Sequence, residues 1–370
     1  MWLSYLFGFI SYNILSVLFL WLIKNKKMLV GSQRNIFNIA CCLSFFIIGF
    51  LGCAITNDYY PYKESIQVIL TTKDPFSSFE SFWVWVIGYF NLSHHLYIFL
   101  LQGVSFTLFY WIVRLLKPIN LIFFLGMWTI LSLQSVIGGR SLLFYMLYYM
   151  AVILMSKKKW VLSICFLFCC FFTHKTAYIA IPIFFLSMIR LTEKQIVLIS
   201  ATILVGALFV KTVILGNIST IYDYVSEVGV PGAIYLTHEE NLQVTGHPIW
   251  SFLPIVSKSV LYFIVAMTLI RTIKYQNGAS LEFKIQYRLL FWATIISAAL
   301  LLIDLPDPAI ATRVFAIGLL IALDYLIGEA FVCLKPRKYE RLVLVFLLFV
   351  CLLLNDIGVL RVSFINHVFD

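Results

Sequence analysis

Four residues stand out as breaks in long apolar runs: Arg140, the neighbours His174 and Lys175, and Arg313. Charge inside a hydrophobic stretch is costly, so such positions are functional candidates by default. Three cations and an imidazole would suit a phosphate or diphosphate. The planar guanidinium binds phosphate oxygens in pairs and never loses its charge. If Arg140 and Arg313 open helices, free backbone N–H groups and the helix dipole would favour the same anion. His174 has an ordinary pKa near neutrality and is a candidate general base, held neutral by Lys175 and so able to accept a proton. Asp58 is the other candidate for that role; it could equally orient sugar hydroxyls or pair with Arg140. Tyr59, Tyr60, Tyr62, Trp83 and Trp85 are candidates to stack on sugar rings. Each residue also has a plainer reading. Basic side chains anchor spans at lipid headgroups, a histidine can bond a neighbouring helix, and aromatics line membrane interfaces.

The elements that must position these residues follow from composition. The chain of 370 residues is 62% hydrophobic and 12% charged, with a mean hydropathy of +0.97. A soluble domain carries roughly 25% charged residues, so the expected class is an all-α, polytopic integral membrane protein. About 20 apolar residues span a bilayer, which allows about 11 or 12 transmembrane helices in one domain covering 1–370 and leaves no separate soluble domain. The first run, Trp2 to Ile23, lacks a positive leader and a small-residue cleavage site and is read as a retained span. The net charge of +10 is scattered between spans, which argues against nucleic acid as a partner.

Charge orients the spans. Lys24, Lys26, Lys27 and Arg34 follow span 1 and mark a cytoplasmic turn, as Lys157, Lys158 and Lys159 do later. Arg114 with Lys117, Arg190 with Lys194, the group Arg271, Lys274, Lys284 and Arg288, and the group Lys335, Arg337, Lys338 and Arg341 complete the inner loops. The remaining spans lie at about 36–55, 95–116, 119–137, 141–156, 195–215, 249–270, the stretch before Asp304, the stretch from Ile310, and 342–360. Residues 160–190 read as a helical hairpin with short arms and an outer tip at Thr173 to Thr176. Both termini then lie outside, with outer loops at about 56–94 and 216–248. The segment 79–92 is too short to cross and suits a re-entrant or interfacial position. In this topology Asp58, Arg140, His174, Lys175 and Arg313 share the outer ends of the spans, with Arg313 in the first turn of its helix. There is no internal repeat of the kind many transporters carry.

Other motifs carry less. The eight cysteines lie in apolar runs without zinc spacing and read as packed hydrophobes. Asp304 and Asp307 flank Pro306 in a rigid turn, which is weak support for a metal pair. His94 and His95 have no acidic partner nearby in sequence. No G-x-S-x-G, Walker A or H-E-x-x-H occurs. No metal and no cofactor is expected.

A set of short motifs resembles one family. Asp58-Tyr59-Tyr60-Pro61-Tyr62 follows span 2, and Asp74-Pro75-Phe76 follows that. A Gly-x-Arg (Gly138-Gly139-Arg140) opens a mid-chain span, His174-Lys175 comes about 34 residues later, and Arg313 closes the series. From about residue 50 to 330 this resembles the EpsG-like branch of the Wzy polysaccharide polymerases. It departs where the family often has Arg-Gln, here Arg140-Ser141, and where the acidic-Pro motif usually carries Glu, here Asp74. The resemblance implies a glycosyltransferase at the outer face of the bacterial cytoplasmic (inner) membrane, acting as an O-antigen or capsule polymerase in polysaccharide or lipopolysaccharide biosynthesis. Its substrates would be undecaprenyl-diphosphate-linked glycan donor and acceptor, with the lipid bilayer and a chain-length regulator as further partners. Arg140, Lys175 and Arg313 would then hold the diphosphate, His174 or Asp58 would take the acceptor proton, and Tyr59 and Tyr62 would line the sugar site. A lipid-linked oligosaccharide flippase is the alternative, which should carry charge at mid-bilayer depth and usually a repeat. A membrane acyltransferase would need an early Arg- and His-rich signature, which is missing.

Overall fold

The computed structural model describes residues 2–25, 59–72, 81–116, 128, 130, 139–215, 248–275, 278–303, 308–333 and 338–367. All regular secondary structure among them is helical. In chain order the helices are α1 (Trp2–Asn25), α2 (Tyr59–Thr72), α3 (Ser81–Phe90), α4 (His94–Leu115), α5 (Gly139–Ser156), α6 (Trp160–Thr173) and α7 (Ala177–Met188). They continue with α8 (Glu193–Leu215), α9 (Pro248–Thr272), α10 (Leu281–Ile303), α11 (Pro308–Gly318), α12 (Asp324–Cys333) and α13 (Lys338–His367). A π-helical turn, Leu319–Leu323, joins α11 to α12.

Among the described residues, four helical stretches are long and apolar enough to cross a membrane: His94–Leu115, Glu193–Thr212, Leu281–Ile303 and Ile310–Glu329. Shorter apolar helices accompany them at Tyr12–Leu22, Arg140–Ser156, Trp160–Thr173 and Ala177–Met188. The chain is therefore an all-α, multi-pass membrane protein. The expected spans at 36–55 and, apart from Trp128 and Ile130, at 119–137 lie outside the described residues, as does nearly all of the loop at 216–248.

α5 is the centre of the bundle. Every residue from Leu142 to Met155 is buried, as expected of a helix that is apolar on all sides. It packs against α4 on one side and α6 on the other, and α10 in turn packs against α7, α8 and α11. α6 shows how such a helix divides its faces. Ser163, Leu167, Cys170 and Thr173 point inward, whereas Val161, Ile164, Phe168 and Phe171 are exposed. Lipid is as apolar as these outer side chains, so the inner face is the one with small and polar residues. Those groups bond to backbone: Ser163 Oγ donates to the Ala151 carbonyl at 2.8 Å, and Tyr148 Oη to the Ala180 carbonyl at 2.8 Å.

The lysine-triplet turn closes α5 against α4. Lys159 N–H donates to the Leu154 carbonyl and Lys158 N–H to the Met155 carbonyl, both at 2.9 Å, the Schellman pattern that ends a helix. Lys158 takes the left-handed position, with φ of 60°. Lys157 Nζ donates to the Leu115 carbonyl, at the last residue of α4, at 3.2 Å. The C-terminal ends of α4 and α5 thus share one end of the bundle. Nearby chain turns are bound by Arg271 and Glu340, which pair at 2.7 Å between α9 and α13.

Three expectations change in the structure. The stretch 57–80, expected as a loop, contains α2, because Ile66 and Ile69 fall one turn apart and are both buried. Arg288, expected among the inner-loop charges, sits inside α10 and is buried, and its Nη1 bonds the Ser187 and Met188 carbonyls at 3.3 and 3.1 Å. A cation at the C-terminus of α7 satisfies orphan carbonyls and the helix dipole together. Finally, α13 runs on through Arg361 to His367, beyond the span expected to end near 360.

Candidate functional site

The hairpin tip between α6 and α7 carries His174. Both arms are short, 14 residues in α6 and 12 in α7. At 1.5 Å per residue, α6 rises only about 21 Å from the lysine turn, short of a bilayer core of about 30 Å. The tip is enclosed by neighbouring helices, with Thr173, His174 and Thr176 all buried. His174 is 7% exposed, and Arg140, in the first turn of α5, is 6% exposed.

The tip is built by local bonds. His174 is the C-cap of α6, in extended conformation, and its N–H donates to the Cys170 carbonyl at 3.3 Å. Its carbonyl accepts from Ala177 N–H at 3.0 Å, which starts α7. Thr173 Oγ1 donates to the Cys169 carbonyl at 2.7 Å. The Thr173 carbonyl, one of the orphans of a helix end, accepts from Trp83 Nε1 at 3.1 Å. Trp83 itself packs edge-on against Tyr97 of α4. The expected interfacial segment is thus a helix, α3, pinned to the tip that carries His174.

The imidazole has two hydrogen bonds. Thr176 N–H donates to Nδ1 at 3.1 Å, and Nε2 lies 3.2 Å from Ser141 Oγ. Its ring also lies against Phe144, with centroids 6.0 Å apart. The charges of Arg313, Arg140 and Lys175 all lie near enough to act on this ring, although they are scattered from 140 to 313 in sequence.

Arg313 is positioned by three helices. Tyr145 of α5 donates its hydroxyl to the Arg313 carbonyl at 3.2 Å. Ser297 of α10 donates to the Ala311 carbonyl at 2.6 Å. That leaves Ser297 Oγ to accept from Tyr262 of α9, at 2.6 Å, and the Tyr262 ring stacks on Phe315 with centroids 3.9 Å apart. Arg313 was expected in the first turn of its helix. Pro308, a favoured first helical residue, starts α11 earlier, so Arg313 lies in the second turn and offers its side chain rather than a free N–H.

The structure thus brings Arg140, Lys175 and Arg313 close to His174. Asp58 lies outside the described residues, as do Asp74, Asp304 and Asp307. Tyr59 and Tyr62 fall in the first turn of α2. Trp83 is buried and bonded to backbone, so it positions the tip and does not present a face to a sugar. Trp85 is exposed and stacks on Tyr89. Among the described residues, no three His, Cys, Asp or Glu side chains group as metal ligands would. Ser141, Tyr145, Tyr262 and Ser297 went unnoticed in the sequence. Their signal was a hydroxyl in an apolar run, which recurs too often along this chain to single them out.

The fold and the site define a class: a polytopic helical membrane protein with three cations close to a buried histidine. The family is clear as well. The model of the EpsG family matches residues 34–368, and the chain belongs to that family. It is thus a membrane protein of a family associated with polysaccharide polymerisation. No match to the chain was found among curated proteins or among solved structures.

Proposed function

We propose that the protein is a polysaccharide polymerase that joins undecaprenyl-diphosphate-linked oligosaccharide units at the outer face of the bacterial cytoplasmic membrane, with both termini on that side. One observation carries this reading: Arg140, Lys175 and Arg313 all lie near enough to the buried His174 for their charges to act on it. Three cations beside one imidazole suit a diphosphate. The product is an O-antigen, capsule or related polymer, and a chain-length regulator is a plausible partner.

In the reaction, a hydroxyl oxygen of the acceptor's terminal sugar attacks the anomeric carbon of the donor glycan. The anomeric C–O bond to the diphosphate breaks, and the undecaprenyl diphosphate leaves with both bonding electrons. Arg140, Lys175 and Arg313 stabilise the charge that grows on the leaving oxygen. The acceptor proton goes to a base. The Nδ1 lone pair of His174 is already taken by Thr176 N–H, and its Nε2 faces Ser141 Oγ. Asp58 is therefore assigned the proton, and His174 a donor role. Tyr59 and Tyr62 sit on the helix that follows Asp58 and contribute to the sugar site together with the loop 216–248.

The test is reconstitution in liposomes with a lipid-diphosphate-linked repeat unit, with products separated by size. The wild type should build a ladder without any nucleotide sugar, and Arg140→Ala should slow it by roughly 10²- to 10³-fold, as loss of a transition-state charge contact does. Units that cross the bilayer but never lengthen would point to a flippase and end this reading.

A further inference from the structure

The hydrogen bonds at the hairpin tip have a direction, and following it leads to Ser141. A backbone N–H can only donate, so Thr176 N–H facing Nδ1 at 3.1 Å fixes the lone pair of His174 on that nitrogen. A neutral imidazole with a bare Nδ1 carries its proton on Nε2. Nε2 therefore donates to Ser141 Oγ across the 3.2 Å contact. A serine that accepts through its oxygen still has its own proton to give, and accepting one bond polarises the hydroxyl for donating another. Ser141 is half-buried, next in sequence to Arg140, in the first turn of α5. Every link in this series passes a donor forward, and it ends at the Ser141 hydroxyl, on the residue after Arg140.

We propose that Ser141 donates a hydrogen bond from its hydroxyl to an oxygen of the bound diphosphate, and that His174 is the positioning residue that orients it. This rests on the diphosphate site proposed above. It assigns Ser141 to the substrate and gives both residues roles in which no proton is transferred. The anion is the fitting acceptor, because the donor directly follows Arg140 and is oriented by a ring within reach of the charges of Arg140, Lys175 and Arg313.

The experiment measures binding of inorganic pyrophosphate and of an isoprenyl diphosphate to the full chain in nanodiscs, alongside the ¹⁵N spectrum of its histidines. Ser141→Ala should weaken binding by about tenfold or more, the usual cost of losing a hydrogen bond to a charged group. Ser141→Thr, which keeps the hydroxyl, should restore most of it. His174→Gln retains an N–H near the position of Nε2 and should bind better than His174→Ala, which should resemble Ser141→Ala. The wild-type spectrum should show His174 protonated on Nε2, with a shift on adding pyrophosphate that Ser141→Ala abolishes. If Ser141→Ala does not fold, Ser141→Cys replaces it, and the weak thiol donor should give a comparable loss. Unchanged binding in the hydroxyl-deficient variant, or a proton on Nδ1, would overturn the role of Ser141 while leaving the cationic site standing. A wild type that binds neither probe would remove the diphosphate site itself, and this proposal with it.

Discussion

At His174 the surroundings of the two ring nitrogens set what the residue can do. Thr176 N–H donates to Nδ1 at 3.1 Å, and Ser141 Oγ lies 3.2 Å from Nε2. The ring can take a further proton on Nδ1 only by giving up the bond from Thr176, so its role is to hold and orient a neighbour. Arg140 makes a second case at this scale. Lysine keeps the charge but not the planar pair of donors, so Arg140→Lys should retain more polymerisation than Arg140→Ala but well below the wild type in the liposome assay.

The helices around the site depend on close approach. Gly318 ends α11 where it crosses α10, and a Cβ there would lie 3.0 Å from Leu290 Cδ1 and 3.1 Å from Ala293 Cβ. Leu290 can move its methyl, but Ala293 has no side chain to swing away. Gly318→Val should therefore destabilise by about 1–3 kcal/mol, the usual cost of overpacking, read as a lower melting temperature. It should also reduce activity, since the same helix carries Arg313. α3 acts on the hairpin tip. Trp83→Phe keeps the ring packing on Tyr97 but removes the Nε1–H that caps the Thr173 carbonyl. It should cost about 1 kcal/mol and raise hydrogen exchange across the hairpin tip, measured by mass spectrometry. Protection equal to that of the wild type would mean that α3 does not hold the tip.

Over the whole molecule, two ends of the bundle are distinguished. One is the lysine turn, where Lys157 bonds the end of α4. Arg140, His174 and Arg313 gather towards the other. Lys158 and Asn91 are exposed markers of these ends, and both sit in left-handed turns at helix termini. In a cysteine-depleted background, Lys158→Cys and Asn91→Cys should react with a membrane-impermeant thiol reagent from opposite sides of sealed vesicles. Labelling of both from one side would contradict the alternation of the spans. The Arg271–Glu340 pair is solvent-facing in part and should matter little, since exposed ion pairs are worth about 0–1 kcal/mol.

Sequence by itself determined the class of the protein, the ends of several helices and the positions of the costly charges. α4, α5, α8 and the hairpin arms begin and end within a few residues of the expected bounds. The reason is that hydropathy is a local property, and a bilayer imposes it strongly on every span. It also made Arg140, His174, Lys175 and Arg313 conspicuous, because each breaks an apolar run. Which of them meet was decided only by the tertiary structure. In a membrane, the lipid-facing and protein-facing sides of a helix are both apolar, so the pattern that would orient a soluble helix is nearly silent here. Nothing in the run from Trp160 to Thr173 says that Phe168 faces out while Ser163 and Cys170 face in. Packing also turned Trp83 from a candidate sugar platform into a cap on Thr173, drew Arg288 into the bundle as a cap on α7, and folded part of an expected loop into α2. The direction of the bonds at His174 belongs to the same level. It depends on where Thr176 N–H and Ser141 Oγ fall around one ring, 35 residues apart in the chain.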